Sequence, residues 1–184
     1  AFDPTTLEEA SNLLLRFDVK LLPVCKNEGD HTLTGIFTAK DVDRVISGKS
    51  GRYTLDKNKQ LCVGAAIGCI RERGTEERIH LCMRKNADVL VIDVAHGDSK
   101  PVLDTCDYLR EHYPDILVIA GNVTESDGAE RLIKKGVSCV KVGIGGSSIC
   151  TTRVATGIGR PQLEAIMCCA EIAKKYNIPI SADG

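Results

Sequence analysis

Nine cysteines are spread along this 184-residue chain, and one of them stands apart. Cys150 lies in Gly143-Ile144-Gly145-Gly146-Ser147-Ser148-Ile149-Cys150-Thr151-Thr152-Arg153, a run of glycines and hydroxyls with a guanidinium three residues on. The thiolate is the nucleophilic form of cysteine, and loop N–H groups with a nearby Arg lower a thiol's pKa. Residue type alone leaves two readings open, a catalytic nucleophile or an incidental loop cysteine. Asp93, Asn122 and Asp183 each close an apolar run. A carboxylate in that position suits ribose hydroxyls; for Asp93 the alternative is a role in capping the helix after Asp98-Ser99, and Asn122 carries the same ambiguity. The segment Gly143 to Ser148 could cradle a phosphate with its N–H groups, or be a plain flexible loop. It is not a dinucleotide fingerprint, because Ser148 stands where the last glycine is required.

These groups need a frame. Apolar runs recur at Leu61–Ile67, Asp88–Ile92, Ile116–Ala120, Ser138–Val142 and Ile178–Ala182, and their continuity predicts strands buried on both faces. Between them, amphipathic spacing predicts helices over Glu76–Lys85, Pro101–His112, Glu125–Lys135 and Pro161–Tyr176, with Val102, Cys106 and Leu109 on one stripe. Strand and helix alternating in this way make a parallel α/β sheet, either doubly wound or a sector of a (β/α)8 barrel. The last helix is preceded by residues 143–160, far longer than an ordinary strand-to-helix connection. A long polar loop at the C-terminal end of a parallel strand is where such folds place their chemistry. A barrel takes about 250 residues, so 61–184 would be about half of one. A truncated barrel fits best a chain that stops just after a strand, and the start at Ala1 without Met points the same way, to a fragment.

Residues 1–48 read as a separate αββα unit. Thr5 and Glu8 have capping-box spacing, and Leu7, Ala10, Leu14 and Phe17 repeat at helical intervals. Strands over 20–25 and 31–37 flank an Asn27-Glu28-Gly29-Asp30 turn, and a helix over 39–46 closes the unit. Residues 49–60, polar and without hydrophobic period, are the linker. A net charge of −1 argues against a dedicated nucleic-acid or anionic-membrane surface. No apolar run approaches a membrane span. The scattered, odd-numbered cysteines lack metal or disulfide spacing and point to a reducing, cytoplasmic setting.

Gly64-Ala65-Ala66-Ile67-Gly68, Asp93 to Gly97, Ala120-Gly121-Asn122-Val123, Lys141 through Gln162 and Ala182-Asp183-Gly184 together resemble the inosine-5′-monophosphate dehydrogenase/GMP reductase family across essentially all of 61–184. The first 48 residues resemble the second half of a CBS-domain pair, with Thr38-Ala39-Lys40-Asp41 similar to its ribose-contacting segment. The resemblance implies that Cys150 attacks purine C2 with Thr152 beside the reacting carbon. It gives Ser148 to the phosphate and Asp183 to the ribose. It implies NAD as cofactor (NADPH for a reductase), with Asp93 on the nicotinamide ribose and Asn122 and Gly143 near the nicotinamide. It also implies IMP or GMP as substrate, a homotetramer, regulatory adenine or guanine nucleotides near Asp41, and a potassium ion on the carbonyls of Gly145, Ser147 and Cys150. One departure bears on that ion: where the family usually has Gly, this chain has Ser147, which would be strained if the position requires a positive φ.

Overall fold

Thr5-Thr6-Leu7-Glu8-Glu9 offers two capping boxes one residue apart, and the chain folds with the second. In the computed structural model, which describes residues 1–3, 5–47, 54 and 61–184, the Thr6 hydroxyl accepts from Glu9 N–H at 3.2 Å and Glu9 Oε2 accepts from Thr6 N–H at 2.9 Å. Helix α1 (Leu7–Arg16) starts there. The described chain forms two compact units, Ala1–Lys59 and Gln60–Gly184.

In the first unit, β1 (Leu21–Cys25) pairs antiparallel with β2 (Leu33–Thr38), and α2 (Ala39–Ile46) follows, capped by the Thr38 hydroxyl on Asp41 N–H. Its core is small: Ala10, Leu14, Leu22 and Val42. Leu7 and Phe17, expected on the buried stripe, are exposed. Leu33 and Ile36 are exposed as well, so β2 carries more apolar surface than this unit covers. The linker proposed for 49–60 falls outside the described residues except for Thr54.

In the second unit, β3 (Gly64–Ile67), β4 (Val89–Asp93), β5 (Leu117–Val123), β6 (Cys139–Val142) and β7 (Ile180–Ala182) form one sheet. All neighbours are parallel and the spatial order is the chain order. The crossovers carry α3 (Thr75–Arg84), α4 (Lys100–His112), α5 (Ser126–Lys134) and, between β6 and β7, α6 (Thr152–Thr156) and α7 (Gln162–Lys175). A doubly wound sheet reverses its strand order at a switch point, whereas a barrel adds each strand beside the last. The order seen here is that of a barrel sector.

Burial along the strands alternates. Leu90, Ile92, Val118, Ala120, Val140 and Val142 are fully buried with Ile79, Val102, Cys106, Leu109 and Leu132 from the helices. The intervening Val89, Val91, Ile119 and Lys141 are only half-buried. The expectation of strands buried on both faces is therefore corrected. Helices cover one face, and no second layer covers the other among the described residues. The half-covered face carries Asp93 and Lys141.

Candidate active site

The C-terminal strand ends gather most of the expected residues at one cleft of about 420 Å3. Asp93 ends β4, Asn122 lies near the end of β5, Gly143 follows β6 and Asp183 follows β7. Gly145, Ser147, Cys150 and Thr152 enter from the long loop. Ser148 does not join them: it is exposed on the loop and does not line the cleft. Asp41 belongs to the first unit, where its carboxylate accepts from the Thr38 hydroxyl at 2.5 Å and stands 3.8 Å from Arg44.

The loop is built rather than loose. Arg160 N–H donates to Ile144 O at 3.0 Å, closing its two ends, and the Arg160 guanidinium donates to Thr124 O at 2.8 Å. The Arg153 side chain threads between Gly145 and Gly159, where any Cβ would come within 2.6 Å of its stem. Beneath the loop, Gln162 Nε2 donates to Val142 O at 3.1 Å, and its Oε1 lies where a Cβ on Gly143 would crowd it. The five-residue α6 inside this loop has no apolar period and was not foreseen.

Cys150 Sγ lies 3.3 Å from Thr152 Oγ1. That side-chain hydrogen bond is the main reason the Cys150 pKa lies below the ordinary thiol value, followed by the Thr152 backbone, the Gly145 backbone and, last, the Arg153 charge. Arg153 and the loop backbone, both expected to contribute, do so after Thr152, and Arg153 Nε also donates to Gly145 O. Burial acts the other way on other thiols: it raises Cys106 to about 12 and Cys169 to about 11, and it raises Cys69 and Cys139 as well. A hydroxyl can rotate to donate to the thiolate, which a methyl cannot. Thr152→Val is thus expected to move the midpoint of Cys150 alkylation by iodoacetamide to higher pH, slowing the reaction at neutral pH. An unchanged midpoint would remove Thr152 from the account.

On the other wall, the Asn122 amide donates to Gly143 O and to Asp183 Oδ2, both at 2.7 Å. Lys141 Nζ reaches Asp93 Oδ1 at 2.8 Å and Asp183 Oδ2 at 2.6 Å. The Lys141 and Asn122 hydrogen bonds hold the Asp183 carboxyl below the usual carboxylate range. Burial works against the Lys141 charge, and the two carboxylates outweigh it, raising its pKa. Sequence reasoning gave Lys141 no role. The available signal was a lone charge between Val140 and Val142 in an apolar run.

The groups implied by the resemblance can be tested against this geometry. Asn122 Oδ1 is buried without a partner among the described residues, and Asp93 remains partly exposed, so both can accept from a dinucleotide's amide and hydroxyl donors. Two of the three carbonyls that the resemblance gives to a potassium ion already accept hydrogen bonds. Gly145 O already accepts from Arg153 Nε at 2.6 Å, a second cation there would face the guanidinium, and Ser147 O accepts from Cys150 N–H at 3.2 Å. Ser147 itself is not strained, since its φ is not positive; the left-handed conformation falls on Gly145, with φ 63°.

Parallel strands in chain order with a polar cleft at their C-terminal ends define the layout of the β/α-barrel enzymes. The sequence model of the IMP dehydrogenase / GMP reductase domain matches residues 31–184, and the chain belongs to that family. It is 43% identical over 180 residues to an inosine-5′-monophosphate dehydrogenase of Halalkalibacterium halodurans and 42% identical over 180 residues to that of Bacillus subtilis. Each match covers 98% of this chain and 36% of the relative, so the chain spans about a third of their length. Its structure is similar, with a TM-score of 0.70 and 33% identity, to a GMP reductase from Trypanosoma brucei solved with guanosine 5′-triphosphate, covering 99% of this chain and 42% of that one. Among the described residues, no helix is long and apolar enough to cross a membrane.

Proposed function

We propose that residues 61–184 form the nucleophile-bearing part of an NAD-dependent IMP dehydrogenase. The observation that carries the reading is Cys150, with a lowered pKa and Thr152 at 3.3 Å, in the cleft that also holds Asn122, Asp93 and Asp183. Asp183 accepts from the nucleotide ribose hydroxyls, and Ser148 takes the phosphate when the loop closes on it. Asp93, Asn122 and Gly143 hold the dinucleotide. The Cys150 thiolate adds to purine C2, forming a C–S bond, and Thr152 steadies the thiolate before attack. The hydride that C2 then gives up goes to the oxidised nicotinamide ring, the chemistry this cofactor supplies when bound. Water adds to C2 of the resulting thioimidate, one of its protons going to purine N3 and the other to solvent; the C–S bond breaks, and xanthosine monophosphate leaves with Cys150 restored as thiolate.

Identities of 42–43% to dehydrogenases favour IMP oxidation. The likeness to a GMP reductase supports a second reading, NADPH-dependent reductive deamination of GMP in the same cleft. In this proposal residues 1–48 are one CBS module of a pair, with Asp41 beside a regulatory adenine or guanine nucleotide, residues 49–60 are the linker, and the complete protein is a homotetramer.

The test is spectrophotometric, on the full-length enzyme in which this chain is joined to the remainder of its relatives' length. NADH formation from IMP supports the first reading, NADPH consumption with GMP supports the second, and neither would reject both. The 184-residue chain alone is expected to be inactive, because the outer edges of β3 and β7 carry no further strand of this sheet among the described residues and a barrel buries its interior only on closing. NADH production by the isolated chain above a Cys150→Ala control would contradict that.

A further inference from the structure

Four strands place one residue each in a single layer: Asp93 is in register with Gly121, Gly121 with Lys141, and Lys141 with Ser181. Neighbouring strands are about 4.8 Å apart, so Lys141 and Asp93 are separated by roughly 10 Å of sheet. A lysine stem covers that distance only if the strand between presents no side chain. Gly121 is that position: a Cβ there would overlap the Lys141 carbonyl oxygen and come within 2.7 Å of Lys141 Cβ. The ammonium therefore crosses β5 to Asp93 Oδ1 and also meets Asp183 Oδ2, with the lysine side chain only 18% exposed. Asn122 supplies a second donor to the same Asp183 oxygen.

We propose that Lys141 is a positioning residue that serves both halves of the site at once, holding one oxygen of the cofactor-side carboxylate Asp93 and one of the nucleotide-side carboxylate Asp183. This rests on the assignment of those two aspartates to the two riboses. With Asp93 Oδ1 and Asp183 Oδ2 committed to the lysine, Asp93 Oδ2 and Asp183 Oδ1 are left to accept ribose hydroxyls. An ammonium donates only, so it does not compete for those donors. It also favours the ionised form of Asp183, for which its hydrogen bond is the largest stabilising contact. Lys141 does not touch the reacting carbon, so its removal acts on binding before chemistry.

The experiment compares Lys141→Met and Lys141→Arg with wild type in the full-length enzyme. In Lys141→Met the KM values for nucleotide and dinucleotide are both expected to rise about tenfold, with kcat changed much less. Lys141→Arg, which keeps a donor and the charge, should recover most of both. Carboxyl carbon NMR should show Asp183 titrating at higher pH in Lys141→Met, since its largest stabilising partner is gone. A rise in one KM only, a rise in neither, or a uniform loss of activity that Lys141→Arg does not rescue would overturn the proposal. A wild-type enzyme inactive on both IMP and GMP would overturn the functional reading instead. The Asp183 titration would then still decide the positioning role of Lys141, with an upward shift sustaining it and no shift refuting it.

Discussion

Cys150→Ser in the full-length enzyme is expected to lower kcat by on the order of 10³-fold or more, with nucleotide binding nearly unchanged. The loss follows from ionisation. The thiol is held below its ordinary pKa by Thr152, whereas a serine hydroxyl in the same place is a far weaker acid and stays protonated at neutral pH. Binding survives because the groups assigned to ribose and phosphate, Asp183 and Ser148, act through their own side chains and not through the thiol. Calorimetry with IMP, alongside single-turnover measurement of nicotinamide reduction, separates the two effects. Near-full turnover by the serine variant would remove Cys150 from the mechanism.

Gly121→Ala should be the most damaging single-methyl change in the sheet. The new Cβ meets backbone, the Lys141 carbonyl oxygen and carbon, and not a flexible side-chain tip that could move away. Forcing β5 and β6 apart is expected to cost about 2–3 kcal/mol of stability, read as a lower midpoint in urea. Because Lys141 reaches Asp93 across this residue, both KM values should rise even at temperatures where the variant stays folded. A variant with wild-type midpoint and wild-type KM values would show that the close approach at Gly121 is relaxed in solution.

Most of the fold was legible because its signals are local. Apolar runs bounded by Gly, Asp and Asn marked the five strands to within three residues at either end, and Val102, Cys106 and Leu109 proved fully buried as their spacing required. The first helix shows how a local signal can be degenerate. Thr5 with Glu8 and Thr6 with Glu9 satisfy the same capping rule, and only the backbone path selects the second. The over-long loop marked the site for the same reason, since its length and composition are properties of the sequence itself.

What was hidden depends on register. Lys141 looked like a stray charge in a strand, because its partner Asp93 is 48 residues away and is reached across Gly121. Around Cys150 the contributors were legible but their order was not. Arg153 is near in sequence, yet its Nε is committed to Gly145 O, and the nearer hydroxyl of Thr152 does more. Ser148, placed by resemblance, stands outside the cleft because the loop turns it to solvent.

The most direct measurement of the central claim is affinity labelling of the full-length enzyme with a 6-chloropurine ribonucleotide, followed by peptide mass spectrometry. The account predicts that Cys150 is modified first, that IMP protects it, and that Cys106 and Cys169, whose thiols burial raises to about 12 and about 11, stay unmodified under the same conditions. First modification of Cys139 or Cys168, or labelling of Cys150 that IMP fails to slow, would contradict it.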